Sequence, residues 1–249
     1  MREMIRFDPW HGLRRFTSAR IALGSAGNSL PTAELLRLGL AHAEARDAVH
    51  QPLDAALLEE ALQVLSFPVL RVHSRAADRT TYLLRPDLGQ SLDDESSALL
   101  KEQGNKGFDI LFVLSDGLSP IAVQRHALPL LQSVKPLLPV EWRIGPLIIA
   151  EQSRVALGDE IGGLLHVQTV VVIIGERPGL SSPDSLGIYL TFQPKVGRTD
   201  AERNCISNIR PEGLEYAAAA RKLVWLLGEA RRMHLSGVRL KDSSRLLEL

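Results

Sequence analysis

Val170-Val171-Val172-Ile173-Ile174 runs straight into Gly175-Glu176-Arg177-Pro178-Gly179-Leu180-Ser181-Ser182-Pro183-Asp184-Ser185. A short run that is apolar at every position and wholly β-branched reads as a strand buried on both faces. The glycines, prolines and serines after it read as a loop. Three further apolar runs flank this one: Ile110 to Leu114, broken by Ser115-Asp116-Gly117, then Pro146 to Ala150, and Ile188 to Phe192. Helical patterns fall around them. One runs from Ile121 to Val134 with a kink expected near Pro129. A shorter one, Asp159 to His166, is weakened by Gly162-Gly163. A long one, Glu212 to His234, has Pro211 near its first turn. Strands separated by helices predict a Rossmann-like α/β domain over residues 105–249, its parallel sheet flanked by helices.

Upstream, residues 1–104 read as a helical N-terminal lobe. Ser29 is placed to cap a helix with Pro31 in its first turn, followed by Leu35, Leu38, Ala41, Ala45 and Val49 at helical spacing. Asp54 can cap a second helix, with Leu57, Leu58, Ala61, Leu62 and Leu65 on its apolar face and Phe67-Pro68 ending it. Val69 to His73 reads as a short strand. Ser91 can cap a further helix to about Glu102. No flexible linker, repeat or low-complexity tract separates the two parts.

The 249 residues are 45% hydrophobic, enough for a substantial core, and Lys+Arg 29 against Asp+Glu 29 leaves no net charge. Nothing in that balance points to nucleic acid or an acidic membrane surface, and a neutral chain has little self-repulsion to oppose assembly. The single cysteine, Cys205, excludes an intrachain disulfide and a multi-thiolate zinc site. Met1 to Trp10 has no signal-peptide core, and no apolar run is long enough to span a membrane, so the expectation is a cytoplasmic protein.

The usual chemical motifs are missing. There is no G-x-G-x-x-G after a strand, no P-loop, no H-E-x-x-H and no G-x-S-x-G. Seven scattered histidines form no ligand pair. What remains are loops at the carboxyl ends of strands, where α/β sheets take ligands. Glycines in Gly175 to Ser185 permit close approach of backbone, prolines stiffen it, Glu176 supplies an anionic acceptor and the serines neutral donors. The same letters also suit an ordinary β–α turn. Asp116 fits either a ligand contact or an Asx turn. Asp200 to Arg210 reads as a second binding loop or a solvated surface turn, and Cys205 within it as a small buried hydrophobe.

Several longer motifs carry a resemblance. Arg20 to Gly24 (RIALG), Gly27 to Thr32 (GNSLPT), Tyr82 to Gly89 (YLLRPDLG) and Asp116 to Ser119 (DGLS) are similar to segments of the ethanolamine ammonia-lyase light chain. So are VALGDEIG from Val155, IGERPGLSSPDSLG from Ile174 and GRTDAERNCISNIRP from Gly197. The likeness runs from about Asp8 to the final helix. Pro120 departs from it, standing where an alanine is more usual.

The resemblance implies the light subunit of an adenosylcobalamin-dependent enzyme that converts ethanolamine to acetaldehyde and ammonia by radical chemistry. It implies a heavy (large) subunit that carries the substrate site, several heavy–light pairs in one hetero-oligomer, and a light chain inactive alone, with no catalytic residue of its own. The family's cofactor contacts fall on Val155, Glu176 and Cys205. Glu176 can accept hydrogen bonds from cofactor amides or hydroxyls, whereas Val155 and Cys205 taken alone read equally well as core packing. The D-x-H-x-x-G pattern, which replaces the lower base of cobalamin with histidine, is missing: Asp8-Pro9-Trp10-His11-Gly12 has the wrong spacing. The cofactor is therefore expected to keep its own base on cobalt. Residence in an ethanolamine-utilisation microcompartment is the alternative to free cytoplasm, and the few residues before Asp8 do not argue for it. A Rossmann-like nucleotide- or coenzyme-binding module without chemistry is the rival function, and a pure scaffold subunit the third.

Overall fold

A computed structural model describes residues 5–104 and 106–244. The expected domain boundary at residue 105, and the parts of both terminal expectations on residues 1–4 and 245–249, lie outside the described residues. The fold is a mixed α/β sheet flanked by helices. Its strands are β1 (Val69–His73), β2 (Ile110–Ser115), β3 (Leu147–Glu151), β4 (Thr169–Gly175), β5 (Leu186–Phe192) and β6 (Arg203–Ile209), in spatial order β1-β3-β2-β4-β5-β6. β1, β3, β2 and β4 pair in parallel, so Val69–His73, from the part of the chain expected to be a helical lobe, is a strand of the same sheet. β2 and β4 are buried at every position, as their unbroken apolar sequences require.

The all-parallel expectation does not hold at the far side. β5 runs antiparallel to both β4 and β6. The segment Glu176–Ser185 is too short for a covered crossover and returns the chain as a hairpin connection, so it is not a β–α turn. The polar segment from Asp200 to Arg210 is neither a loop nor a solvated turn but mostly strand β6. Its composition misleads because β6 is an edge strand with only Arg203, Ile206 and Ile209 buried. Arg203 is admitted to the interior by a buried ion pair with Asp159, 2.7 Å away, and by the Thr191 hydroxyl at 3.2 Å.

Helices cover both faces. On one, α2 (Ala55–Leu62), α5 (Pro120–Val134) and α7 (Tyr216–Met233) pack on Phe112, Leu114, Ile149, Ile173 and Ile188. On the other, α4 (Asp94–Gln103) and α6 (Leu157–Leu164) pack on Val113, Ile148, Val170 and Val172. Asp54 caps α2 as expected, its side chain accepting from the Leu57 backbone, though Leu57 itself is exposed. Asp93 rather than Ser91 caps α4, and Pro31 rather than Ser29 occupies the cap of α1 (Thr32–His50). The short α3 (Arg79–Leu84) is capped by Asp78 and carries Tyr82, and α7 begins at Tyr216, so Pro211 lies outside its first turn.

The inward face of α1 holds Ala41 and Ala48, with Leu38 and Ala45 half-buried, while Leu35, expected inside, points out. Glu34 takes the inner position because Arg14 and Arg37 neutralise it at 2.9 and 2.6 Å. Among the described residues no helix is long and apolar enough to cross a membrane.

Candidate functional site

The carboxyl ends of the parallel strands gather at one edge of the sheet, and Asp116 ties them together. It directly follows β2 and is 1% exposed. One carboxylate oxygen accepts from the Gly117 and Ser153 backbone N–H groups, both at 2.9 Å. The other accepts from Gln152 N–H at 2.8 Å and Arg79 Nη1 at 3.5 Å. Burial pushes its carboxyl up to about 6, although the three N–H groups and Arg79 all pull downward. Both oxygens are occupied, which decides between the two readings of this residue: Asp116 is a structural clasp between the ends of β2 and β3. Gln152 holds a left-handed backbone (φ 53°) to deliver its N–H.

Two glycines let the loops after β2 and β4 touch. Gly117 is left-handed (φ 56°), and the Leu118 N–H donates to the Gly175 carbonyl at 3.0 Å. A Cβ on Gly175 would sit 2.7 Å from the Asp116 carbonyl oxygen and closer still to that of Ser119. The rest of the β4–β5 loop is anchored at Pro183, whose carbonyl accepts from Ser119 Oγ at 2.8 Å, and at Asp184. Arg125 binds the Asp184 carboxylate at 2.8 Å and His126 Nε2 lies 3.4 Å from it, while the other ring nitrogen of His126 meets the Tyr216 hydroxyl at 2.7 Å. Burial raises Asp184, yet Arg125 and His126 together outweigh it and hold the carboxyl below its ordinary value.

Between these loops lies a cleft of about 450 Å³, lined by Tyr82, Gly117, Leu118, Arg154, Val155, Ile174, Gly175, Glu176, Arg177 and Tyr189. Val155 and Glu176, read from separate motifs, therefore line one cavity. Val155 is half-buried just before α6, which starts at Leu157 with no side-chain cap. The Glu176 carboxylate accepts from Ser185 Oγ at 2.6 Å and from Asn208 N–H at 3.1 Å, and Asn208 is left-handed (φ 57°).

Cys205 is exposed on β6 and not buried as its residue type suggested, because an edge strand turns alternate side chains outward. It stands beside the cleft, not in it, as the register partner of Tyr189. Close packing by its neighbours, with the Glu176 charge, nevertheless raises its thiol, partly offset by the Tyr189 hydroxyl. Burial first, and then Cys205, carry the Tyr189 phenol up to about 12.

Three cleft residues had no sequence role: Tyr82, Arg154 and Tyr189. Tyr82 is buried, its hydroxyl donating to the Ser153 carbonyl at 3.1 Å, and burial raises the phenol well above its ordinary value. Two guanidinium groups lie over its ring, Arg79 at 4.7 Å and Arg154 at 4.1 Å from the centroid. Cation–π pairs of this kind contribute about 0.5–2 kcal/mol each. The only available signal was position, since Tyr82 opens YLLRPDLG and Arg154 directly precedes VALGDEIG. Among the described residues no group of three His, Cys, Asp or Glu side chains is placed to hold a metal ion.

A family model described as ethanolamine ammonia-lyase light chain matches residues 7–241. The chain is 55% identical over 246 residues to the ethanolamine ammonia-lyase small subunit of Azotobacter vinelandii, covering 97% of this chain and 91% of that one. It is 53% identical to the small subunit of Pseudomonas fluorescens strain Pf0-1, at 97% and 90% coverage. It is 54% identical to that of Xanthomonas campestris pv. campestris strain B100, at 95% and 89%.

Proposed function

The chain belongs to the ethanolamine ammonia-lyase light-chain family, and from that premise we propose that it forms one wall of the enzyme's adenosylcobalamin site. The large subunit supplies the opposite wall and the substrate site. The observation that carries this reading is the meeting of Val155 and Glu176 in one cleft at the carboxyl edge, with Cys205 one strand away. The four parallel strands with helices on both faces support reading this half of the sheet as Rossmann-like.

The donor set suits a large amphipathic ligand fringed with amides and hydroxyls. Leu118, Val155 and Ile174 offer apolar contact, Tyr189 an aromatic ring, and Glu176 an acceptor held by Ser185 and Asn208. Adenosylcobalamin is far larger than this cleft, so the chain would cover only part of it and the partner the remainder. When bound, the cofactor supplies radical initiation through its cobalt–carbon bond. The residues of this chain bind, orient and exclude water. A coenzyme module without chemistry is not favoured, since relatives matched over about nine-tenths of their length are lyase subunits. The test is reconstitution: mixing the chain with its large subunit and cyanocobalamin should shift the visible absorption of the corrinoid, and no shift would sink the reading.

Glu176→Ala removes an acceptor and should raise the cofactor concentration for half-maximal activity about tenfold, equivalent to ~1.4 kcal/mol. Glu176→Gln keeps shape and an acceptor and should raise it less. The alanine variant also frees Ser185 and Asn208, so thermal melts of both variants are needed to separate binding from folding. An unchanged half-saturation value in assembled Glu176→Ala enzyme would make Glu176 a turn residue.

The N-terminal lobe, residues 1–104, is proposed to face the large subunit. Leu35, Leu36 and Leu40 on α1 are 58–69% exposed, and Trp10 and Phe16 nearby are similarly open. Binding a partner there should raise the melting midpoint of the chain as partner concentration rises. A midpoint unmoved at saturating large subunit would contradict it. The cytoplasm is the proposed location, and an ethanolamine-utilisation microcompartment the alternative.

A further inference from the structure

The cleft carries positive charge that its own carboxylates do not neutralise. Asp116 is buried beneath the loops, with three N–H groups and Arg79 on its two oxygens. Glu176 turns to Ser185 and Asn208. Arg79 has a charge partner in Asp116 and donates to the carbonyls of Val49 and Gly117, although its Nη2, too, is buried without a hydrogen-bond partner. Arg154, whose guanidinium carbon lies 4.1 Å from the Tyr82 ring centroid, has no carboxylate partner among the described residues. Its Nη2 reaches only the Tyr82 carbonyl at 3.3 Å, its Nε is buried without a hydrogen-bond partner, and among the described residues it forms no ion pair. Arg177 lines the same cleft, is exposed, and among the described residues also forms no ion pair or hydrogen bond. Two unpaired guanidinium groups on one half-enclosed cavity form a receptor for an oxyanion, which guanidinium binds through paired N–H donors.

We propose that Arg154 and Arg177 form an anion subsite of the cleft that takes a phosphodiester. The proposal rests on the corrinoid reading, because the phosphodiester of the nucleotide tail is the negatively charged group of such a ligand. The stack on Tyr82 orients Arg154 before the ligand arrives, and Arg177 lines the same cleft from the loop after β4.

The experiment uses the chain assembled with its large subunit. Binding of cyanocobalamin is compared with binding of dicyanocobinamide, a corrinoid without the nucleotide and its phosphodiester, by visible absorption. Wild type, Arg154→Gln, Arg177→Gln, the double variant and Arg154→Lys are titrated. The double variant should bind cyanocobalamin at least tenfold more weakly and dicyanocobinamide as wild type does, and Arg154→Lys, which keeps the charge but not the paired donors, should fall between wild type and Arg154→Gln. Unchanged cyanocobalamin affinity overturns the proposal, and so does an equal loss for both corrinoids, which would mark a packing role. Should Arg154→Gln fail to fold, the exposed Arg177→Gln decides alone by the same contrast. If wild type binds neither corrinoid, the reading of the cleft fails by itself. Calorimetry with inorganic pyrophosphate on the full chain then decides the subsite: binding lost in the double variant upholds it, and no binding to wild type overturns it.

Discussion

Replacing Gly175 with alanine should destabilise the protein by about 3 kcal/mol or more, lowering its melting midpoint by roughly 6–12 °C. The added Cβ would lie 2.6 Å from the Ser119 carbonyl carbon and 2.7 Å from the Asp116 carbonyl oxygen. All of these neighbours are backbone, so no rotamer change relieves the clash, and the loops after β2 and β4 must part. Parting them breaks the bond from Leu118 N–H to the Gly175 carbonyl and opens the cleft floor. If the cleft holds the cofactor as proposed, its half-saturation in reconstituted enzyme should rise along with the loss of stability. The control is Gly163→Ala in α6, whose Cβ would meet only ordinary contacts at 3.6 Å or more. That change should be neutral or stabilising by up to about 1 kcal/mol. Equal melting midpoints for wild type and Gly175→Ala would show that the two loops are not interlocked.

Asp116→Ala should cost about 4 kcal/mol, measured as a shift in urea midpoint. It strands the N–H groups of Gly117, Gln152 and Ser153 and removes the one carboxylate paired with Arg79 among the described residues. Buried donors left without acceptors cost about 1–3 kcal/mol each, and halving a buried ion pair about 3–5 kcal/mol; these overlap and do not add. Asp116→Asn retains one acceptor and should lose less.

The comparison of wild type with Asp116→Asn also has a pH signature. The folded value, about 6, lies above the ordinary carboxylate value of 3.8, so the folded protein keeps the Asp116 proton after the unfolded chain has lost it. Over that window the native state binds more protons, and stability contributed by this group falls as pH rises. The advantage of wild type over Asp116→Asn should thus be largest below pH ~4 and shrink by up to about 3 kcal/mol until pH ~6. It should then stay flat. An advantage that grows with pH would mean that the three N–H groups outweigh burial and hold the carboxylate ionised.

Much of the fold was legible in the sequence because burial leaves a mark in composition. Val170 to Ile174 and Ile110 to Leu114 are apolar at every position, and both are central strands with no face to spare for water. Glu176 was legible as a loop residue at a strand's carboxyl end, and Asp54 as a cap, because turn and cap chemistry are local. Only the family motifs singled out Val155, which lines the cleft, and Cys205, which stands beside it; composition could not separate either from packing.

Edges and long-range pairings were not legible. β6 has only three buried positions, one of them arginine, and its polarity makes sense only once Asp159, from α6, is seen to neutralise Arg203. The reversal of β5 could not be read from the Ile188 to Phe192 run, since strand direction depends on whether the preceding segment packs a crossover or folds back as a hairpin. Asp116 left two readings open until the loop after β3 brought Gln152 and Ser153 to its oxygens. The cleft itself joins Tyr82, Arg154, Glu176 and Tyr189 from four parts of the chain, and no local pattern encodes their meeting. The sequence by itself determined which segments are buried, which turn, and the family the chain resembles, because those depend on near neighbours. The tertiary structure alone decided strand direction, the clasp and the unpaired charge of the cleft, because each is a balance between groups distant along the chain.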